Sequence, residues 1–291
     1  MTKYSLWGAW LIVGLYLAQV ALGVFVGHYL VSLPLTWASL ALIVFAVFFI
    51  GTRLRGLNNI VHECSHLTFS ANREDNFVIG KFCSTLLTGC FTKYRRDHLS
   101  HHAHLGVYEQ DNELGAIEKF GLHEPLSIST IARHIVTPLL GLHLRVYSGA
   151  SMSSEDGRLF LVMKIALLVA IGLAALVQPL TTLLFVVVPL FYVFPTLNFW
   201  TDCLDHAGLV GAEDELDASR NVLAPTILQP LLFPRNDCYH LVHHLFPGVP
   251  ARHLKAAHKQ LSEDSAYRSQ PLAVKRACKG AGTAGGAAIK P

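Results

Sequence analysis

Residues 5–31 carry no charge, and after Pro34 a second uncharged apolar run extends over 35–50. About 20 apolar residues in a helix cross a bilayer core, so these runs predict two membrane-spanning helices, near 5–31 and 35–52, turned back on each other at Pro34. A second helical hairpin is predicted over 159–200, with spans near 159–178 and 180–200, a turn at Gln178-Pro179 and one interruption at Lys164. The length of the first run, with another span directly behind it, favours an uncleaved anchor over a cleaved signal. Two weaker apolar stretches lie between the hairpins. The stretch 77–91 is too short to span comfortably and contains Lys81. The stretch 126–147 places Ile128, Ile131, Ile135, Leu139, Leu142 and Val146 at helical spacing, interrupted by Arg133, His134 and Arg145. Both read as helices lying in the interface or packed under a cytosolic domain, and for the first a buried core helix is an equal alternative. Past Leu272 the sequence KGAGTAGGAAIKP has no apolar period, so 271–291 is expected to be a disordered Gly/Ala-rich tail.

Composition agrees with the pattern: 52% hydrophobic and 15% charged residues describe an integral membrane protein. Charge then orients it. Of the 23 Lys and Arg, eleven fall in 52–158 and ten in 201–291, while both hairpin tips have none. By the positive-inside rule the termini and the middle segment are cytosolic, giving a multi-pass protein with four spans. The expectation is a single all-α domain over 1–270, with a cytosolic helical cap built from 53–158 and 201–270. A net charge of +3 is too small to argue for nucleic acid, and six cysteines without a CxxC pair read as reduced, buried thiols.

The chemistry is in the histidines. HECSH at 62–66 spells HExxH, a zinc-peptidase pattern in which two histidines hold the metal and the glutamate is a general base. Two further boxes change that reading. HLSHH contributes His98, His101 and His102, and HLVHH contributes His240, His243 and His244. Offsets of three and four residues place side chains on one helix face, near enough to hold one metal or two neighbouring ones. A catalytic zinc takes three protein ligands, so eight histidines are too many for a peptidase. A dinuclear site, needing about eight to ten protein donors, fits better, and imidazole suits iron as well as zinc or copper.

The three boxes, their order and their placement around two hairpins resemble the membrane fatty acid desaturase/hydroxylase superfamily, and NDCYHLVHHLFPGVP at 236–250 is similar to its C-terminal signature. The resemblance covers about 57–261. It implies a non-haem di-iron centre that uses O2 and two electrons on an unactivated C–H bond, and a substrate chain entering a tunnel between cap and stem. It also implies one more ligand at the end of the fourth span, matched by His206 in NFWTDCLDHAG. Asp202, where some members have asparagine, is a candidate carboxylate ligand with a structural alternative, and Asp205 reads as structural. Among residues near the boxes, Glu63 and Asp97 are candidates to accept the second N–H of a histidine. Asn236 is a candidate to bond a metal-bound water or a helix end, and Arg220-Asn221 to hold acidic residues by hydrogen bonds. His28, His104, His123, His134, His143, His253 and His258 read as structural, solvent-facing or supporting.

The chain has no HPGG haem pattern, no iron–sulfur cysteine set and no GxGxxG after a strand. Electrons are therefore expected from a separate ferredoxin or cytochrome-type donor with its reductase. Lys93, Arg95 and Arg96, or Arg252, Lys255 and Lys259, are candidate docking surfaces, with phospholipid headgroup contact as the plainer reading. The leading expectation is a desaturase of an acyl chain. Alternatives are a hydroxylase or desaturase of a small amphipathic metabolite, a zinc membrane protease, and a non-catalytic metal-binding membrane protein.

Overall fold

The computed structural model describes residues 1–212 and 214–270, so the expected tail 271–291 lies outside the described residues. What is described is helical, with one isolated bridge between Tyr4 and Ser70. In chain order the helices used below are α1 (Leu6–Ser32), α2 (Trp37–Ser65), α3 (Arg73–Leu86), α4 (Phe91–Ala103), α5 (Ile128–Leu139), α6 (Leu144–Tyr147), α7 (Arg158–Val177), α8 (Pro179–His206), α9 (His240–Leu245) and α10 (Ala251–Leu261). Four of them, α1, α2, α7 and α8, are long and apolar enough to cross a membrane.

Local chemistry sets their starts. Ser5 caps α1 by accepting from Gly8 N, and Thr36 and Ser39 form a reciprocal capping box at α2. Two spans run further than the hydropathy boundary. The second was expected to end near 52, but α2 continues to Ser65 and carries the first box, because its two arginines find partners instead of ending the helix. Arg53 donates to Gln19 Oε1 at 3.2 Å, and Arg55 donates to Asn198 Oδ1 at 2.8 Å and pairs with Asp237. The fourth was expected to end near 200, but α8 runs to His206. Its middle widens into π-helical turns over Leu183–Val187 and Pro189–Val193. Proline removes an N–H and crowds the preceding turn; Pro189 lies in this stretch and Pro195 just after it, so the wider turns accommodate them.

The main core joins α1, α2 and α3 through Ala9, Val13, Ile50, Leu57, Ile79 and Cys83, with Phe185 of α8 added from the side. Packing of Ile79 and Cys83 there fits the buried-core alternative for the 77–91 stretch. The helix of the 126–147 stretch, α5, instead leaves Ile128, Ile131, Ile135 and Leu139 exposed. Glycines let the long helices approach closely: a Cβ on Gly27 would sit 2.5 Å from the Phe185 ring, and one on Gly56 2.0 Å from the Tyr16 ring. Because α2 and α8 extend past their apolar parts side by side, both deliver polar residues to one place. The described cysteines are free and buried.

Gly27→Val is expected to destabilise the protein by about 1–3 kcal/mol through overpacking. Thermal unfolding in detergent checks this, with Gly14→Ala, where a Cβ meets nothing within 4 Å, as the silent control.

Candidate metal centre

Four elements converge on one buried region. The end of α2 supplies His62 and, as the residue after its last turn, His66. Helix α4 supplies the second box, the end of α8 supplies His206, and the six-residue α9 supplies the third box. The nine histidines form two groups whose ligand atoms lie within 4.8 Å of one another. One contains His62, His66, His98, His102 and His243, and the other His101, His206, His240 and His244. Helical geometry explains the division. Residues four apart are separated by only about 40° around the axis, so His98 and His102 stay in one group and His240 and His244 in the other. The remaining histidine of each box points across, which knits the groups together; the rings of His102 and His244 stack at 4.3 Å. The other seven histidines join neither group.

The nitrogen geometry tests whether metals fit. Two imidazole nitrogens, each about 2.1 Å from a shared metal and at right angles, lie about 3 Å apart. The Nε2–Nε2 separations are 2.9 Å for His66–His98, 3.2 Å for His98–His102 and 3.0 Å for His102–His243. In the other group they are 2.9 Å for both His206–His240 and His240–His244. The tautomers sharpen the test. His206 Nδ1 lies 3.2 Å from Ala218 O, which can only accept, so Nδ1 carries the proton and Nε2 is a bare lone pair. The Asp205 carboxylate lies 3.4 Å from His240 Nδ1 without forming a hydrogen bond, and its negative charge favours a proton on that nitrogen. Two lone pairs thus face each other at 2.9 Å, an arrangement that a cation between them makes favourable. The buried His62 Nε2 and both oxygens of Asp205 have no hydrogen-bond partner among the described residues. Uncompensated buried polar groups are costly, and a nearby metal charge relieves that cost.

Burial pushes the imidazoles of His66, His98, His240, His243 and His244 well below their ordinary value, and His102 to about 2. These rings are therefore neutral and available as ligands at neutral pH. His101 differs: burial lowers it, but the hydrogen bond to Asp111 and the charges of Glu113 and Asp111 outweigh that and hold it above the ordinary value.

The carboxylates that orient the ligands are not those expected. Glu113 accepts from His98 Nδ1 and Asp111 from His101 Nδ1, each at 2.8 Å. Burial raises the Glu113 carboxyl to about 7. These two do what was expected of Glu63 and Asp97. Glu63 is instead buried against Arg235, which clamps the first box to the segment before the third. Asp97 lies 3.7 Å from Arg96. Asn236 donates to Ala251 O at 2.9 Å, holding the start of α10. Arg220 donates to the carbonyls of Leu204 and Ala207 at the end of α8, not to acidic side chains. Asp202, the candidate tenth ligand, belongs to neither histidine group and accepts from the Tyr147 hydroxyl. Burial, and next the Asp202 charge, push the Tyr147 phenol well up, so it remains a donor. Asp111 and Glu113 left one sequence signal, the acidic run EQDNE at 109–113 just after the second box.

A cavity of 440 Å³ reaches the centre, with His62, His98 and His240 at its inner end and the exposed Lys93, Asn112 and Ala116 at its outer end. Its size is that of small-molecule pockets, which are about 300–1,000 Å³.

A family model described as fatty acid desaturase matches residues 35–275. Among curated relatives, a dihydrorhizobitoxine desaturase of Bradyrhizobium elkanii is 28% identical over 245 residues, which is 76% of this chain and 68% of the relative. An sn-1 oleoyl-lipid 12-desaturase of Synechocystis sp. is 26% identical over 284 residues, 88% of this chain and 76% of the relative. A chloroplastic omega-3 fatty acid desaturase of Glycine max is 25% identical over 249 residues, 77% of this chain but 53% of the relative.

Asp111→Asn should weaken metal binding about 10- to 100-fold by releasing the His101 ring. The pH dependence gives a second readout. With its pKa raised, His101 carries a proton in mildly acidic solution that a metal must displace, so wild-type affinity should fall with a one-proton slope as the pH drops below that raised pKa. In Asp111→Asn that slope should flatten; titrating metal-free protein at several pH values checks both effects.

Proposed function

Because the chain belongs to the fatty acid desaturase family, we propose that it is an O2-dependent di-iron desaturase that introduces a double bond into an acyl chain. The observation supporting this most directly is the pair of imidazole groups, five and four histidines, at the end of one cavity. Iron held there would supply the activation of O2, and the overall balance is one O2, two electrons and two protons taken up, two hydrogens removed from adjacent carbons, and two waters released.

The chain's own residues do the rest. Glu113 and Asp111 hold His98 and His101 with Nδ1 protonated, so that Nε2 faces the metal. The Glu63–Arg235 pair fixes the first box against the third. The cavity positions one C–H bond and limits water, so the site of reaction is set by cavity shape. The same ion pair argues against a zinc peptidase, since Glu63 is committed to Arg235 and both HExxH histidines sit in a five-histidine group. We place the four spans in two hairpins, with the cap, both termini and the centre on the cytosolic side, on the distribution of Lys and Arg. A separate ferredoxin or cytochrome-type protein delivers the electrons. Of the candidate docking residues, Lys93, Arg96, Lys255 and Lys259 are exposed. Arg95 is engaged with Ser65 O at 2.9 Å, and Arg252 with Thr2.

A second reading, a hydroxylase or desaturase of a small amphipathic metabolite, is favoured by the polarity of the cavity wall near the centre, where Asn198, Thr201, Asp202 and Asp237 stand.

Metal analysis of purified protein should find about two irons per chain, with a clear loss in His101→Ala. One zinc and no iron, after checking for mismetallation, contradicts the proposal. With a reductant system and O2, loss of two hydrogens in the product identifies desaturation and gain of one oxygen identifies hydroxylation.

A further inference from the structure

Helix α5 is amphipathic in the reverse sense. Its polar side faces the protein, with Thr130, His134 and Thr137 at 6%, 5% and 4% exposure, while Ile128 and Leu139 on the other side are 90% and 61% exposed. Past Gly141 the apolar exposure continues through Leu142 to Val146 in α6. Water drives apolar side chains inward, so a helix with this arrangement has hydrocarbon against its outer face. The carbonyls at its end agree. A helix ending in water leaves its last carbonyls to solvent, but Val136 O accepts from Leu140 N at 3.0 Å, Thr137 O from Leu142 N at 3.1 Å, and Pro138 O from Gly141 N at 2.9 Å and the Tyr192 hydroxyl at 3.0 Å. Backbone inside a bilayer must be satisfied in this way. The contacts with α8 set the depth. His134 O accepts from Trp200 Nε1 at 3.2 Å, and Ser148 Oγ donates to Phe191 O at 2.8 Å. Asn198, bonded to Arg55, marks where charge begins, and Phe191 lies about 10 Å further into the apolar run of α8.

The cavity opens beside this element. Val146 and Gly149 are exposed and line it, and Leu87, Ile117 and Phe194 give it further apolar wall. We propose that α5 and α6 are seated in the cytosolic leaflet as a re-entrant pair, and that the opening at Val146 is a lateral portal through which a bilayer-dissolved acyl lipid reaches the centre. The inference rests on the acyl-chain reading above and adds the side from which the chain arrives. A chain entering here passes from hydrocarbon to apolar wall without crossing water. Lys93 and Asn112, exposed at the outer end of the same cavity, are left for its headgroup.

The test uses the full chain in phosphatidylcholine nanodiscs doped with a phosphatidylcholine that carries a diazirine in the middle of one acyl chain. After irradiation, adducts are mapped by peptide mass spectrometry in wild type, Val146→Trp and Val146→Ala, with iron per chain measured in each. Adducts are expected on the four spans, on Ile131, Ile135 and Leu139, and, as the mark of entry, on Leu87 and Ile117 inside the cavity. Val146→Trp should lower the cavity adducts several-fold and Val146→Ala should raise them, with labelling of the spans and of α5 unchanged. A short-chain acid carrying the same diazirine, added from water, reports the aqueous route and should label Leu87 and Ile117 more weakly. Absence of adducts from α5, adducts on α5 with none in the cavity, cavity adducts indifferent to both Val146 variants, or stronger cavity labelling from water would overturn the inference. Absence of iron with the labelling pattern intact would count against the metal reading alone.

Discussion

Nine imidazoles are brought together in a buried space with their ring nitrogens facing one another. That crowding is the constraint on which the rest of the molecule depends. Nitrogens 2.9 to 3.2 Å apart cannot all be donors to each other. Cations between the rings make such an arrangement favourable when each ring is prevented from turning away. The carboxylates of Asp111 and Glu113 and the carbonyl of Ala218 provide that restraint from behind the rings. The carboxylates would also supply negative charge to set against that of bound metals.

The helical scaffold makes this possible because its longest helices do not stop where their apolar parts stop. Helices α2 and α8 carry His62 and His206 beyond the uncharged runs as continuous rods, and Arg53 and Arg55, which by themselves would mark a membrane boundary, are absorbed by Gln19, Asn198 and Asp237. Helix α4 and the short α9 close against those ends. The strained point in this closure is Arg235-Asn236, both left-handed at φ 65° and 61°, a conformation unfavourable for side chains of this type. It is held by Glu63 on one side and by Asn59, donating to Pro234 O at 2.7 Å, on the other.

Periodicity carried the parts of the fold and site that repeat locally. Uncharged runs gave the four long apolar helices, and the i, i+3, i+4 spacing gave the boxes, although it could not say which histidine goes to which group. Hydropathy marked where the uncharged runs of α2 and α8 end but not where the helices end, because a charged residue with a buried partner looks, in sequence, like one facing water. Residues that act across the chain were not legible. Asp111 and Glu113 reach α4 through an irregular loop, and the Arg235 partner of Glu63 lies 172 positions away. Asp202 has the right offset from His206 for a ligand, yet Tyr147, from a distant helix, engages it. The family match over 35–275 fixes the superfamily level of the reading, while identities of 25–28% leave the substrate to the cavity.

The central claim is that two unequal imidazole groups each hold one iron. Mössbauer spectroscopy of protein loaded with 57Fe and held reduced tests it most directly, because a five-histidine and a four-histidine iron differ in ligand field. Two quadrupole doublets of equal area, both high-spin ferrous, are expected. A single doublet from one iron per chain, or iron bound only adventitiously with the histidines left unligated, would contradict it.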